Sequence, residues 1–266
     1  MPLTPFQKLV LRLIAANRSA ESHVAGGLVI NRGQDTPRYS ADIDFFHDSQ
    51  QLTLRAAESD VKTLEQNEFL VTWLLRQPGF CRAVISKGND TLKLEWVQDT
   101  TFRFFPVVAD PDFGYALHLA DVAVNKTLAA GGRREARDFI DLLYLHSTYL
   151  HVGALIWAAC GKDPGFSPEA LLECIDQHRA ISPQQIAELS LFMPIDAVTI
   201  RRNWTIAKAE SEKLFCALPA TEVGCLYLDP RTRTPVLPEP SDPQFIKLQR
   251  HRGSLFGAWP IISAEG

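Results

Sequence analysis

Asp42 and Asp44 are two carboxylates one residue apart, in the run Tyr39-Ser40-Ala41-Asp42-Ile43-Asp44-Phe45-Phe46. In an extended strand, residues i and i+2 share a face. The two acids therefore lie side by side, while Ile43 and Phe45 turn into a core. Adjacent like charges resist ionising together unless a cation sits between them. Oxygen-only ligands suit Mg²⁺, which keeps part of its water shell and is commonly shared with substrate phosphates. Upstream lies a glycine pair, Gly26-Gly27. Glycine lets the backbone approach a bulky anion, and successive free N–H groups form an anion-binding nest. The pair also reads as a plain strand-to-helix turn, and the two readings are compatible. A third anomaly is Lys126, a lone charge between Val124 and Leu128 in an apolar helical run. It needs an anionic partner, or a route to solvent along its stem.

The elements that must hold these residues follow from patterning. Thr4-Pro5 with Gln7 is a capping box opening a helix that ends near Asn17, with Phe6, Leu9, Val10, Leu13 and Ile14 on one face, packed across the sheet. Residues 23–25 are extended, 28–31 helical and 33–37 a loop. Residues 39–46 form the strand with the two aspartates, and 49–66 a surface helix. Residues 69–75, 80–87 and 92–97 read as strands, with Gly88-Asn89-Asp90 as a hairpin turn. In the last of them Leu92, Leu94 and Trp96 share one face, and Lys93, Glu95 and Val97 the other. Residues 103–107 read as a further strand, and 106–114 as a linker. A helix over 118–130 is stopped by Gly131-Gly132, and another follows over 134–146. On it Arg134, Arg137, Asp138 and Asp141 make one polar stripe opposite Phe139, Ile140 and Leu143. Further helices cover 152–160, start at Ser167-Pro168 and Ser182-Pro183, and run over 196–218. Residues 219–266 hold seven of the seventeen prolines and read as an irregular tail, with a small hairpin of 225–228 and 234–237.

With 266 residues, 46% hydrophobic and 22% charged, the chain has the composition of a globular protein, and its strands followed by helices read as α+β. The expected division is a mixed-sheet domain over 1–114, a helical domain over 115–218, and the tail over 219–266 packed on the body. A formal net charge of −4 excludes a wholly basic nucleic-acid binder but leaves room for a local basic groove. Arg201, Arg202, Lys208 and Lys213, or Lys247, Arg250, His251 and Arg252, either contact an RNA backbone or are solvated faces. No apolar run is long enough to span a membrane, and the N-terminus shows no secretory pattern. Five cysteines without a C-x-x-C pair read as buried thiols in a reducing cytoplasm, and the seven histidines show no ligand spacing.

The glycine pair, a short apolar run and the segment from Arg38 to Phe46 together resemble the first motif of the AbiEii/AbiGii-type nucleotidyltransferase-fold toxins. These are the abortive-infection and toxin–antitoxin branch of the DNA polymerase β-like superfamily. The second motif of that family is a lysine, an arginine, Arg-Asp and a further Asp. It is matched by Lys126, Arg133, Arg137-Asp138 and Asp141, so the resemblance spans roughly residues 20–146. It implies a nucleotidyltransferase-like mixed-sheet domain followed by a helical domain, with a cleft for a nucleoside triphosphate and Mg²⁺. In such transfer, two metal ions about 3.5–4 Å apart stabilise the attacking and leaving oxygens.

Three carboxylates on adjacent strands suffice to hold the two ions, and Glu95, pointing the same way after the hairpin, is the expected third beside Asp42 and Asp44. The family often has aspartate there, so glutamate is a departure; the alternative is that Lys93 and Glu95 form a solvated face. By resemblance Gly26 and Gly27 approach the phosphates and Lys126 holds the triphosphate. Arg137, Asp138 and Asp141 border the nucleotide, one aspartate orienting Lys126 or the substrate. Arg38 and Ser40 touch phosphates or merely shape the loop. Taken as unpaired in the empty protein, Lys126 is expected to be dispensable for stability. The resemblance further implies an RNA acceptor such as tRNA, and a cognate antitoxin. Transfer to a small molecule or protein, and an inactive relative that binds nucleotide or partner, are the rival readings.

Overall fold

The structure is a computed structural model that describes residues 3–33, 36–192 and 194–253. Its strands are β1 Ser22–Val24, β2 Ile43–His47, β3 Leu70–Gln77, β4 Phe80–Lys87, β5 Asp90–Gln98, β6 Val108–Asp110 and β7 Gly114–Ala116. They form one mixed sheet in the order β3-β4-β5-β2-β1-β7-β6. β3, β4 and β5 make an antiparallel meander, β2 joins β5 in parallel, and β1 pairs antiparallel with β2 and parallel with β7. Alternation decides which face is covered. Ile43, Phe45, Cys81, Ala83, Ile85, Leu94 and Trp96 are fully buried, whereas the residues between them on β2, β4 and β5 remain half-exposed. Each large apolar side chain so buried stabilises the fold by about 1.5–3 kcal/mol.

The helices are α1 Pro5–Ile14, α2 Gly27–Ile30, α3 Gln50–Gln66, α4 Leu119–Gly132, α5 Ala136–Thr148, α6 Val152–Lys162, α7 Pro168–Asp176, α8 Pro183–Ala187 and α9 Ala197–Ala217. α3 covers the apolar face of the sheet, and α1 packs beside it. The junction is braced by Asp60 on α3. Arg18 binds both of its oxygens, Trp96 Nε1 donates to Oδ2 at 2.7 Å and Asn17 Nδ2 to Oδ1 at 2.8 Å. The Arg18 guanidinium stacks 4.4 Å from the Phe45 ring centroid, so a charge buried without water has both a counter-ion and a π-face. α4 to α9 form a second body in which α6 is apolar all round because α4, α7 and α9 enclose it.

The capping boxes at Thr4 and Ser182 and the Ser167 cap form as the sequence implies. Several expectations are corrected. Residues 103–107 are not a strand, and the supposed linker 106–114 supplies β6 and the start of β7. α4 does end at the Gly131-Gly132 pair, which forms its last residues; a Cβ on Gly131 would come within 2.4 Å of Leu171 Cδ1, so packing also selects glycine there. The aspartate strand starts only at Ile43, leaving residues 39–42 as loop. Beyond Leu218 the chain is not wholly irregular. β8 Cys225–Leu228 pairs with β9 Gln249–Arg252, while the 234–237 segment touches β8 only through single contacts at Pro235 and Val236. Of the 33–37 loop, residues 34–35 lie outside the described residues, as do 254–266 of the tail. Cys81, Cys160 and Cys225 are buried thiols, but Cys174 is half-buried and Cys216 exposed.

His23 and His47 sit inside the sheet. Burial, aided by Arg103 for His23 and by Arg18 for His47, pulls both down to about 3. Neither ring nitrogen of His47 has a hydrogen-bond partner among the described residues. A histidine lowered on folding contributes stability that is complete above the unfolded value near 6.5 and is lost as pH falls through it toward 3. Urea unfolding at pH 7.5 and 4.5 should therefore show an acid-induced loss that is about 2–3 kcal/mol smaller in His47→Leu than in the parent. Equal losses would mean that His47 does not titrate on unfolding.

Candidate active site

The parallel β2–β5 register sets Asp44 opposite Glu95, and Lys93 lies two residues before Glu95 on the same strand face. Asp42, in the loop just before β2, reaches this face as well. Lys93 Nζ lies 2.8 Å from Asp42 Oδ2 and 3.1 Å from Glu95 Oε1. Arg82, opposite Glu95 on β4, donates through Nε to the same Oε1 at 2.8 Å. Asp44, mostly buried, makes no hydrogen bond or ion pair among the described residues. Burial first, then Glu95 and Asp42, push its pKa up to about 6, against the pull of Arg137 and Lys93. Burial draws the Lys93 pKa down, but Asp42 and Glu95 outweigh it and hold the ammonium above the ordinary lysine value.

The glycine pair serves this face. Gly26 has φ +68°, a conformation that favours glycine, and a Cβ there would lie 3.9 Å from Asp44 Oδ2. A Cβ on Gly27 would fall 2.6 Å from Arg38 Nη2. The loop that follows is pinned on two sides. Gln7 uses its oxygen to cap α1 and its Nε2 to bond the Ser40 carbonyl at 2.7 Å. Tyr39 N donates to Ser190 O and Phe192 N to Pro37 O. Ser40 Oγ turns to the Asp42 carbonyl at 3.3 Å.

The second group of residues is buried and tightly paired. Arg38 grips Asp141 through Nε at 2.8 Å and Nη2 at 2.6 Å, and Asn31 Nδ2 adds a bond at 3.0 Å. Lys126 Nζ lies 2.6 Å from Asp138 Oδ1 and 3.1 Å from Asp141 Oδ2, and Arg133 Nε donates to Asp138 Oδ2 at 2.6 Å. Burial alone would push Asp138 up, but Lys126 and Arg133 outweigh it and hold it below the usual carboxylate value. The expectation of an unpaired Lys126 is thus corrected: the side chain is only 7% exposed and bridges two carboxylates. The single polar stripe on α5 is corrected too. Asp138 and Asp141 are fully buried, and Arg134 turns away to Gln177. Arg137 is 44% exposed, with Glu135 no nearer than 3.9 Å, and its charge acts on Asp44.

The structure thus brings Asp42, Asp44 and Glu95 together on one face with Gly26 beside them. It gathers Arg38, Lys126, Asp138 and Asp141 into a separate knot, with Arg137 facing the carboxylates. As the side chains stand, no three His, Cys, Asp or Glu among the described residues enclose a metal position. The donor chemistry nevertheless suits a hard cation, because Asp44 is a mostly buried carboxylate with no hydrogen bond or ion pair among the described residues and two more carboxylates beside it. Sequence reasoning passed over Asn31 and Arg82 and took Lys93 only as the partner of a solvated Glu95. The available signals were an asparagine ending the apolar run of α2, and basic residues at the half-exposed alternate positions of β4 and β5.

Two outcomes follow from these environments. Lys126→Ala leaves two buried carboxylates short of a cation, so chemical unfolding should show a loss of roughly 3–5 kcal/mol; a loss under 1 kcal/mol would mean that the pairs are solvated in solution. For Asp44 the folded value of about 6 lies above the ordinary 3.8, so ionisation destabilises the fold as pH rises from about 4 through 6. In EDTA, Asp44→Asn should be more stable than the parent by about 1–3 kcal/mol at pH 7.5 and lose that advantage at pH 4. The same advantage at both pH values would contradict the assignment.

Comparison with solved structures places this arrangement among known folds. MenT4, a nucleotidyltransferase toxin from Mycobacterium tuberculosis, is similar over 81% of this chain and 83% of its own, with 16% identity and a TM-score of 0.54, which shows a shared fold. JHP933 from Helicobacter pylori aligns over 83% of this chain and 99% of its own, with 20% identity and a TM-score of 0.46. No curated protein matches the sequence. The sequence profile of the nucleotidyl transferase AbiEii toxins of type IV toxin–antitoxin systems matches residues 12–208, which include both motifs and most of the chain. The chain belongs to the AbiEii nucleotidyltransferase toxin family.

Proposed function

We propose that the chain moves a nucleoside monophosphate from a nucleoside triphosphate to an RNA acceptor such as tRNA, with Mg²⁺ held by Asp42, Asp44 and Glu95. The observation that carries this reading is Asp44: a mostly buried, unpartnered carboxylate flanked by two others, with Arg137 acting on it from α5. When bound, the divalent ions supply Lewis-acid stabilisation of the attacking and leaving oxygens. The chain's own part is placement. Gly26 and Gly27 present backbone without side chains next to Asp44 and Arg38. Arg137, half-exposed and weakly paired, is the cation of α5 best able to take a phosphate, in the bidentate manner of guanidinium. Lys126, Asp138, Asp141 and Arg38 hold the Ser40–Asp42 loop against α5, and Lys126 contacts phosphate only by giving up Asp138.

The choice of RNA draws its support from the family context. Lys208 is engaged by Glu173, Asp176 and Glu212, Arg250 by Glu222, and Arg252 by backbone carbonyls. Arg202 and Lys213 on α9 are exposed and make no ion pair among the described residues. The reading extends to a cognate antitoxin, supported by membership of a type IV toxin family. It also extends to action in the cytoplasm, supported by free thiols and by the absence, among the described residues, of a single helix long and apolar enough to cross a membrane.

The test is incubation with each α-labelled nucleoside triphosphate, Mg²⁺ and total RNA. Label should appear on RNA and vanish with EDTA and in Asp44→Asn. Label on RNA that survives in Asp44→Asn would remove the carboxylate site from the mechanism. Label on protein or a small molecule alone would replace the RNA acceptor.

A further inference from the structure

Lys93, like Glu95 and Arg82, belongs to this site but to neither motif. It projects from β5 on the face of Glu95, and its ammonium spans Asp42 and Glu95 at 2.8 and 3.1 Å. These are two of the three carboxylates offered to the metal, and the contacts leave Asp44 alone without a partner. The placement is built into the sheet, since the β2–β5 register puts Asp44 beside Glu95 and so carries Asp42 level with Lys93. The ammonium is also free to leave, since the Lys93 side chain is 34% exposed.

We propose that Lys93 is a tethered resident cation that occupies the carboxylates of the metal-free protein and makes divalent-metal binding depend on nucleotide. This rests on the metal reading above. A divalent ion must displace the ammonium from Asp42 and Glu95, since an ammonium at 2.8–3.1 Å and Mg²⁺ ligation at about 2.0–2.1 Å compete for the same oxygen lone pairs. Displaced without an anion nearby, Lys93 adds to the positive charge around the ion. Displaced in the presence of a triphosphate, it gains a phosphate partner on a flexible four-carbon stem. The metal alone therefore binds weakly and the metal with nucleotide binds well, by the reciprocity of linked equilibria.

The test is direct titration with Mn²⁺, followed by electron paramagnetic resonance, with and without a non-hydrolysable nucleoside triphosphate. The parent, Lys93→Met, Lys93→Gln and Asp44→Asn are compared, and thermal unfolding confirms that each is folded. In the absence of nucleotide, Lys93→Met and Lys93→Gln should bind Mn²⁺ about ten-fold tighter than the parent. The enhancement of Mn²⁺ affinity by nucleotide should shrink in both, and Asp44→Asn should bind weakly throughout. Nucleotide-dependent Mn²⁺ binding that is intact and sensitive to Asp44→Asn, but equal in the parent and both Lys93 variants without nucleotide, would overturn the role of Lys93 and leave the metal site standing. No Mn²⁺ binding by any protein under either condition would overturn both.

Discussion

The bidentate grip of Arg38 on Asp141 is the contact on which the site depends. Arg38 belongs to the loop that leads into the aspartate strand, and Asp141 to the second α5 turn, 103 residues later. Lys126 and Asn31 converge on the same carboxylate from α4 and from the end of α2. A buried network of this kind is costly to desolvate, and its worth lies in having one arrangement that satisfies every member. Because Arg38 and Asp42 share a loop, the same grip holds the segment that carries Asp42 in front of β2.

This division of labour sorts the charged residues of the two motifs. Arg38, Lys126 and Arg133 pair with Asp138 and Asp141, three cations against two acids, so the knot keeps one positive charge in excess. Asp42, Asp44 and Glu95, with Lys93 and Arg82, form the second group on the open face of the sheet. Only Arg137 on α5 reaches from the first group toward the second while staying largely unpaired.

Strand alternation made much of this legible in advance. The burial of Ile43, Phe45, Leu94 and Trp96, and the shared face of Asp44 and Glu95, follow from a period of two, which no tertiary contact needs to correct. The capping residues Thr4, Ser167 and Ser182 marked helix starts for the same local reason. Long-range information was absent from the sequence. Nothing local says that Lys126 meets Asp138, or that Gly131 is small because Leu171 lies against it. Three-residue strands such as β6 and β7 carry too short a pattern to show, and the aspartate that ends β6 and the glycine that opens β7 resemble loop residues.

That short β7 has a mechanical effect. It hydrogen-bonds into the sheet beside β1, Leu117 N continues the ladder to Val24 O at 2.8 Å, and His118 already caps α4. The sheet and the helical body are therefore joined without a slack residue, and Arg38 with Asp141 ties them a second time. Two ties so far apart in sequence restrict the swing of one half against the other, and leave the long, partly exposed side chains of Lys93, Arg82 and Arg137 as the parts freest to move.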